Sequence, residues 1–185
     1  MRRLDRKNVV IISLVFLAIA QAFFIWAGRR PGGLWNKSWL QPGESLSEVQ
    51  ALTPEGISVS LATGEPTLLL VFSPDCEYCQ EVAALWGAWI AAHRKGLEAV
   101  AISSALHDYA NQYASDQGWG LEVWTLGDEP SDTPGYALTR RAPWVFLLDG
   151  EGVIVKEGHG SKIAEIARTA QAQIAHDTQP GIYQP

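Results

Sequence analysis

Thr67-Leu68-Leu69-Leu70-Val71-Phe72-Ser73-Pro74-Asp75-Cys76-Glu77-Tyr78-Cys79 carries the strongest structural signal in the chain. Its first six residues form an uninterrupted apolar run, the pattern of a strand buried on both faces. A Ser-Pro-Asp break follows, and then the only two cysteines of the chain stand as a C-x-x-C pair. From Cys79 to His93 the pattern turns helical, with Val82, Leu85, Trp86, Trp89 and Ile90 falling on one face. A cysteine pair between a buried strand and a helix is a redox signal. Free backbone N–H groups and the dipole at a helix start stabilise a thiolate there. Cys76, nearer the helix start, is expected to be the exposed, attacking cysteine. Cys79 lies one turn deeper, in line with Val82 and Trp86, and is expected to resolve the mixed disulfide.

Other uses of the pair are weaker. A disulfide across two intervening residues closes a tiny loop and adds little stability. Zinc would need two further ligands, and His93, His107, His159 and His176 show no H-x₃₋₅-H spacing. No metal is expected, and no cofactor beyond a redox-active Cys76–Cys79 disulfide.

Outward from this stretch, strands and helices alternate. Ile57–Leu61 reads as an early strand, Leu97–Ile102 as a second buried strand and His107–Gln117 as a helix that Gly118 ends. Leu121–Thr125 reads as a strand and Pro134–Thr139 as a short helix. Val145–Leu148 and Val153–Lys156 flank Asp149-Gly150-Glu151-Gly152, a hairpin signal. A last helix runs from about Ser161 to Ala175, its apolar face Ile163, Ile166, Ala167, Ala170 and Ile174. This order predicts an α/β domain with a mixed sheet flanked by helices.

The N-terminus is of another kind. Val9 to Ala27 is nearly continuous apolar sequence, broken only by Ser13 and Gln21, and long enough as a helix to cross a bilayer. Arg2, Arg3, Arg6 and Lys7 precede it, which places that end in the cytoplasm and the body outside. Ala18-Ile19-Ala20 has the form of a signal-peptidase site, but Phe23, Phe24, Ile25 and Trp26 continue the run, which favours an uncleaved anchor. The expected organisation is a cytoplasmic basic segment 1–8, a transmembrane signal-anchor 9–28, a Gly/Pro-bearing linker 29–42, a domain 43–178 and a tail 179–185. The catalytic body is thus expected on the periplasmic, extracytoplasmic side of the inner membrane, in an oxidising compartment.

Charge is unevenly distributed along the chain. Of fourteen basic residues, Arg2, Arg3, Arg6, Lys7, Arg29 and Arg30 precede Pro31, where Asp5 alone is acidic. The rest carries eight basic against nineteen acidic residues. Such a body repels polyanions, so no nucleic-acid partner is expected.

The region from about Gly43 to Ala175 resembles the membrane-anchored TlpA/ResA branch of thioredoxin-like proteins. The resemblance rests on Gly56–Leu61 as an opening hairpin strand, on the strand leading into Cys76-Glu77-Tyr78-Cys79, and on Ala142-Pro143-Trp144-Val145-Phe146-Leu147-Leu148-Asp149-Gly150-Glu151-Gly152. It implies a thioredoxin-like fold and a thiol–disulfide oxidoreductase acting on exported client proteins, with a further protein as electron donor or acceptor. It also implies a cis Pro143 facing the cysteines, with the Ala142 backbone pairing to an extended client. Tyr78, between the cysteines, joins Ala142 and Pro143 as a candidate substrate-binding residue.

This chain departs from the family at several places. Ser73-Pro74-Asp75 replaces the usual tryptophan before the first cysteine. Leu70 stands where thioredoxins bury an acidic residue, and Val82 where ResA-type proteins carry a glutamate. Asp75 and Glu77 bracket Cys76 and oppose its thiolate, which makes a couple more reducing. Asp75 has an equal claim as the helix N-cap. A reductant, in cytochrome c or cofactor-enzyme maturation, is the leading expectation. The alternatives are a disulfide-introducing oxidase or isomerase, and a Sco-like copper-binding assembly protein with His159 as third ligand. A peroxiredoxin is a weaker match, since Ser73 fits that pattern but Leu69 does not.

Overall fold

The computed structural model describes residues 15–21, 40–93, 97–127 and 133–177. The chain divides into two compact units, Met1–Ser38 and Trp39–Pro185. In the first, residues 15–21 are helical. Among the described residues no helix is long and apolar enough to cross a membrane. The expected span over 9–28 lies, apart from 15–21, outside the described residues, as do the basic segment 1–8, most of the linker and the tail.

The second unit has a thioredoxin-like fold, a seven-stranded mixed sheet flanked by helices. Its strands are β1 (Gln50–Leu52), β2 (Ser58–Ser60), β3 (Thr67–Phe72), β4 (Glu98–Ser103), β5 (Val123–Thr125), β6 (Trp144–Leu148) and β7 (Ile154–His159). The helices are α1 (Glu77–His93), α2 (His107–Asp116), α3 (Pro134–Thr139) and α4 (Ile163–Asp177). The spatial order is β2-β1-β5-β4-β3-β6-β7. β3, β4 and β5 run parallel, joined through α1 and α2, whereas β6 is antiparallel to β3 and to β7.

Every residue of β3 is buried. Leu68, Leu70 and Phe72 meet Val82, Trp86 and Ile90 of α1 and Ile163, Ile166 and Ala167 of α4 in one core. Leu69 and Val71 face a second core with Leu46, Leu138, Phe146 and Leu148. Full burial of each such side chain contributes about 1.5–3 kcal/mol, which explains why the most apolar run becomes an inner strand.

Several boundaries differ from the sequence reading. α1 starts at Glu77 rather than Cys79. Leu85, expected on its buried face, is 43% exposed; that face is centred on Cys79, Val82, Ala83, Trp86 and Ile90, leaving Leu85 at its edge. β7 reaches His159 instead of Lys156, because pairing to β6 carries the polar Glu157-Gly158-His159 along. β1 had no sequence signal, since only Ala51 of its three residues is buried. The β6–β7 turn closes as its pattern requires. Asp149 Oδ1 accepts the N–H groups of Glu151 and Val153, and Gly152 takes a φ of +78°.

Candidate active site

The parallel strands β3 and β4 end on the same edge of the sheet, and β6, antiparallel to β3, begins there. The carboxyl ends of parallel strands beside such a reversal are where open α/β sheets place their sites. Ser73-Pro74-Asp75-Cys76 leaves β3 at this edge and enters α1.

Cys76 occupies the cap of α1. Its carbonyl accepts the N–H groups of Cys79 at 3.0 Å and Gln80 at 3.3 Å. Its Sγ also accepts the Cys79 N–H at 3.3 Å, the geometry of a side-chain N-cap, with sulfur in place of the usual oxygen. Negative charge on that sulfur lies at the positive end of a 17-residue helix. Asp75, the other candidate cap, does not cap this helix. Its carboxylate turns away and accepts the Tyr109 hydroxyl of α2 at 2.9 Å, so the bond that would have capped α1 is made by Cys76.

The two cysteines are unequal. Cys76 is half-buried and its Sγ donates to the Ala142 carbonyl at 3.8 Å. Cys79 is 1% exposed. Its thiol is pushed up to about 12, first by burial and then by its hydrogen bond with Cys76, against the lowering effect of the Ser73 N–H. That N–H lies 3.5 Å from Cys79 Sγ. Both thiols are free.

Ala142 and Pro143 face the pair from the start of β6, and the peptide bond between them is cis. The Pro143 carbonyl accepts the Gly160 N–H at 3.1 Å, and the Gly160 carbonyl accepts Trp86 Nε1–H at 2.8 Å. Glu77 and Tyr78 point to solvent from the first turn of α1, Tyr78 with 64% exposure. Trp144 stands beside the cis proline, donating Nε1–H to Glu157, with Arg141 over its ring and His159 against its edge. His159 Nδ1 accepts the Ser161 N–H and caps the turn before α4.

Sequence reasoning missed the contribution of α2. Tyr109 binds Asp75, and Tyr113, one turn on, stacks on Phe72. Their spacing of four residues placed them on one helical face, but nothing local tied that face to the cysteines.

No family model and no curated protein matches the chain. Solved structures do. The thioredoxin domain of a thiol-disulfide oxidoreductase from Bacteroides vulgatus is similar at 18% identity and a TM-score of 0.54, over 70% of this chain and 97% of that one. A thio-disulfide isomerase from Thermus thermophilus is similar at 23% and 0.52, over 72% and 96%. A bacterioferritin comigratory protein from Xanthomonas campestris, described for alkyl peroxide reduction, is similar at 14% and 0.52, over 74% and 97%. At these identities the likeness shows the thioredoxin-like fold alone.

Proposed function

We propose that this chain is a thiol–disulfide oxidoreductase that reduces disulfides of exported client proteins through Cys76 and Cys79, as a membrane-anchored relative of the TlpA/ResA type. The observation that carries the reading is the asymmetry of the pair. A half-buried thiol caps α1 opposite the Ala142 carbonyl, above a buried thiol whose proton is held up to about 12.

The Cys76 thiolate attacks one client sulfur, and the other leaves as a thiolate that takes up a proton. Cys79 then gives up its proton and attacks Cys76 Sγ. The bond to the client breaks, and the second client thiolate is released and protonated. Two electrons pass to the client, and a partner dithiol protein restores the pair. The reducing direction is supported by Asp75 and Glu77, which flank Cys76 in sequence and whose negative charges oppose the gain of charge by the pair on reduction.

The rim favours a particular client. Leu106, at the start of α2, is 84% exposed, and Tyr78 and Tyr109 are 64% and 49% exposed. The carboxylates of Asp75, Glu77 and Asp108 lie beside them in sequence. A segment pairing apolar with cationic side chains around its cysteine complements that surface. The segment 9–28 would hold the domain to the membrane, on the extracytoplasmic side.

The test is trapping. The Cys79→Ser chain should accumulate client proteins as mixed disulfides on non-reducing gels, and Cys76→Ser should accumulate none. Equal exchange by wild type and both variants would remove the redox assignment.

A further inference from the structure

Cys76 and the segment that faces it belong to different elements. Cys76 Sγ stands 3.8 Å from the Ala142 carbonyl oxygen. Ala142 is half-buried and lies between the end of α3 and the start of β6. Pro143 has no N–H to give to a neighbouring strand. Its carbonyl accepts the Gly160 N–H at 3.1 Å, one step beyond the β6–β7 pair of Trp144 with His159.

Gly160 is in turn held from α1. Its carbonyl accepts Trp86 Nε1–H at 2.8 Å. The same carbonyl accepts the Ile163 N–H within its own turn. The turn is thus closed without the indole, and the bond from Trp86 adds a tie between elements. The indole also lies flush against the backbone at this point, because a Cβ on Gly160 would stand 2.8 Å from Trp86 Cζ2 and 3.2 Å from Cε2. Trp86 is fully buried, on the face of α1 that carries Cys79 and Val82. About 15 Å of helix separates it from Cys76 at the cap. α1 therefore meets the cis-proline segment at two points, directly at Cys76 and through Gly160 at Trp86.

We propose that Trp86 is a positioning residue for exchange: its indole N–H, acting through Gly160 and Pro143, sets the place of Ala142 opposite the Cys76 sulfur. The proposal rests on the exchange reaction above. With two points joined, α1 cannot slide or turn against β6 without breaking the Trp86 bond. A client sulfur that bonds to Cys76 then arrives beside a carbonyl already in place, and rates depend steeply on such placement. Trp86 gives no proton or electron to the reaction.

The test is Trp86→Phe in the full chain, which keeps an aromatic ring in the core and removes the N–H. The control is Trp119→Phe. Trp119 is as deeply buried, packs on Trp86 with ring centroids 5.3 Å apart, and donates its Nε1–H to the Ala83 carbonyl of α1. The control therefore loses the same kind of bond and the same volume from the same core. Capture of a disulfide-bonded peptide should slow about tenfold in Trp86→Phe and stay within about twofold of wild type in Trp119→Phe. Benzothienylalanine in place of Trp86 keeps the bicyclic shape without the N–H and should slow capture as much as Trp86→Phe. In the Cys79→Ser background, alkylation of Cys76 by a small haloacetamide should be unchanged, since that reagent needs nothing across the gap. Amide hydrogen exchange at Gly160 should quicken in Trp86→Phe and not in Trp119→Phe. Unchanged capture by the Trp86 variants, equal slowing by Trp119→Phe, slower alkylation or unchanged exchange at Gly160 overturns the proposal. A wild-type chain that captures no peptide overturns the exchange reaction itself, and the proposal with it.

Discussion

Tyr109 donates its hydroxyl proton to the Asp75 carboxylate at 2.9 Å, joining α2 to the loop that presents the cysteines. The contact fixes where the charge of Asp75 lies, and it leaves the cap of α1 to Cys76. It also raises the ionisation of the Tyr109 hydroxyl, because a phenolate beside this carboxylate loses the hydrogen bond and meets like charge. In Asp75→Asn, Tyr109 should titrate nearer the ordinary tyrosine range. Ultraviolet titration of tyrosinate, read against Tyr109→Phe, checks this, and curves that coincide would show that the contact is not held in solution.

Neutralising both carboxylates should shift the redox couple. Asp75→Asn with Glu77→Gln removes two negative charges that flank Cys76 in sequence, and should favour the reduced form and raise the reduction potential. A tenfold change in the exchange equilibrium corresponds to about 30 mV. Equilibration with dithiothreitol buffers measures it. We expect the wild type nearer thioredoxin, at about −270 mV, than the strong oxidant at about −120 mV. A wild-type value at the oxidant end, insensitive to the substitutions, would refute the reducing assignment.

Cys79 links stability to pH. Its folded value, pushed up to about 12, lies above the thiol's unfolded value of about 8.5. The unfolded chain therefore releases this proton first as pH rises. The contribution of Cys79 is fully present below about 8.5 and is lost as pH climbs toward 12. Urea unfolding of the reduced protein should show a steeper alkaline loss than Cys79→Ser. Parallel curves for the two would mean that the thiol is not held protonated by the fold.

Gly160 admits no side chain. A Cβ there would stand 2.8 Å from Trp86 Cζ2 and 3.2 Å from Val82 Cγ2, both in the core beneath the site. Gly160→Ala should destabilise the domain by about 1–3 kcal/mol through overpacking. It should also slow client capture, since the Gly160 N–H holds the Pro143 carbonyl. Thermal unfolding beside exchange kinetics measures both, and an unchanged melting temperature would show that α1 yields without cost.

Leu106 tests the rim. Leu106→Lys puts a positive charge on an exposed apolar position beside Asp108, and should lower kcat/KM about tenfold for a client peptide with apolar and lysine residues around its cysteine. An acidic peptide should be little affected. Equal losses for both peptides would argue against recognition by charge.

Local patterns account for the features legible in the chain before it folds. The run Thr67–Phe72 has no polar face to expose, so it becomes an inner strand. The cysteines follow a Ser-Pro-Asp break and open an apolar-faced helix, so their order alone ranks them as outer and inner. The turn at Asp149–Gly152 carries its own bonding groups and was legible for that reason. The tertiary structure decided the rest. Whether Asp75 caps α1 or binds α2 depends on Tyr109, thirty-four positions away. The packing of Tyr113 beside the redox loop depends on Phe72 and Trp119, which no local period connects to it. β1 owes its place to pairing with β2 and β5 rather than to its own residues. Periodicity reports which face of an element is apolar; which groups meet across elements is set only when those faces are packed together.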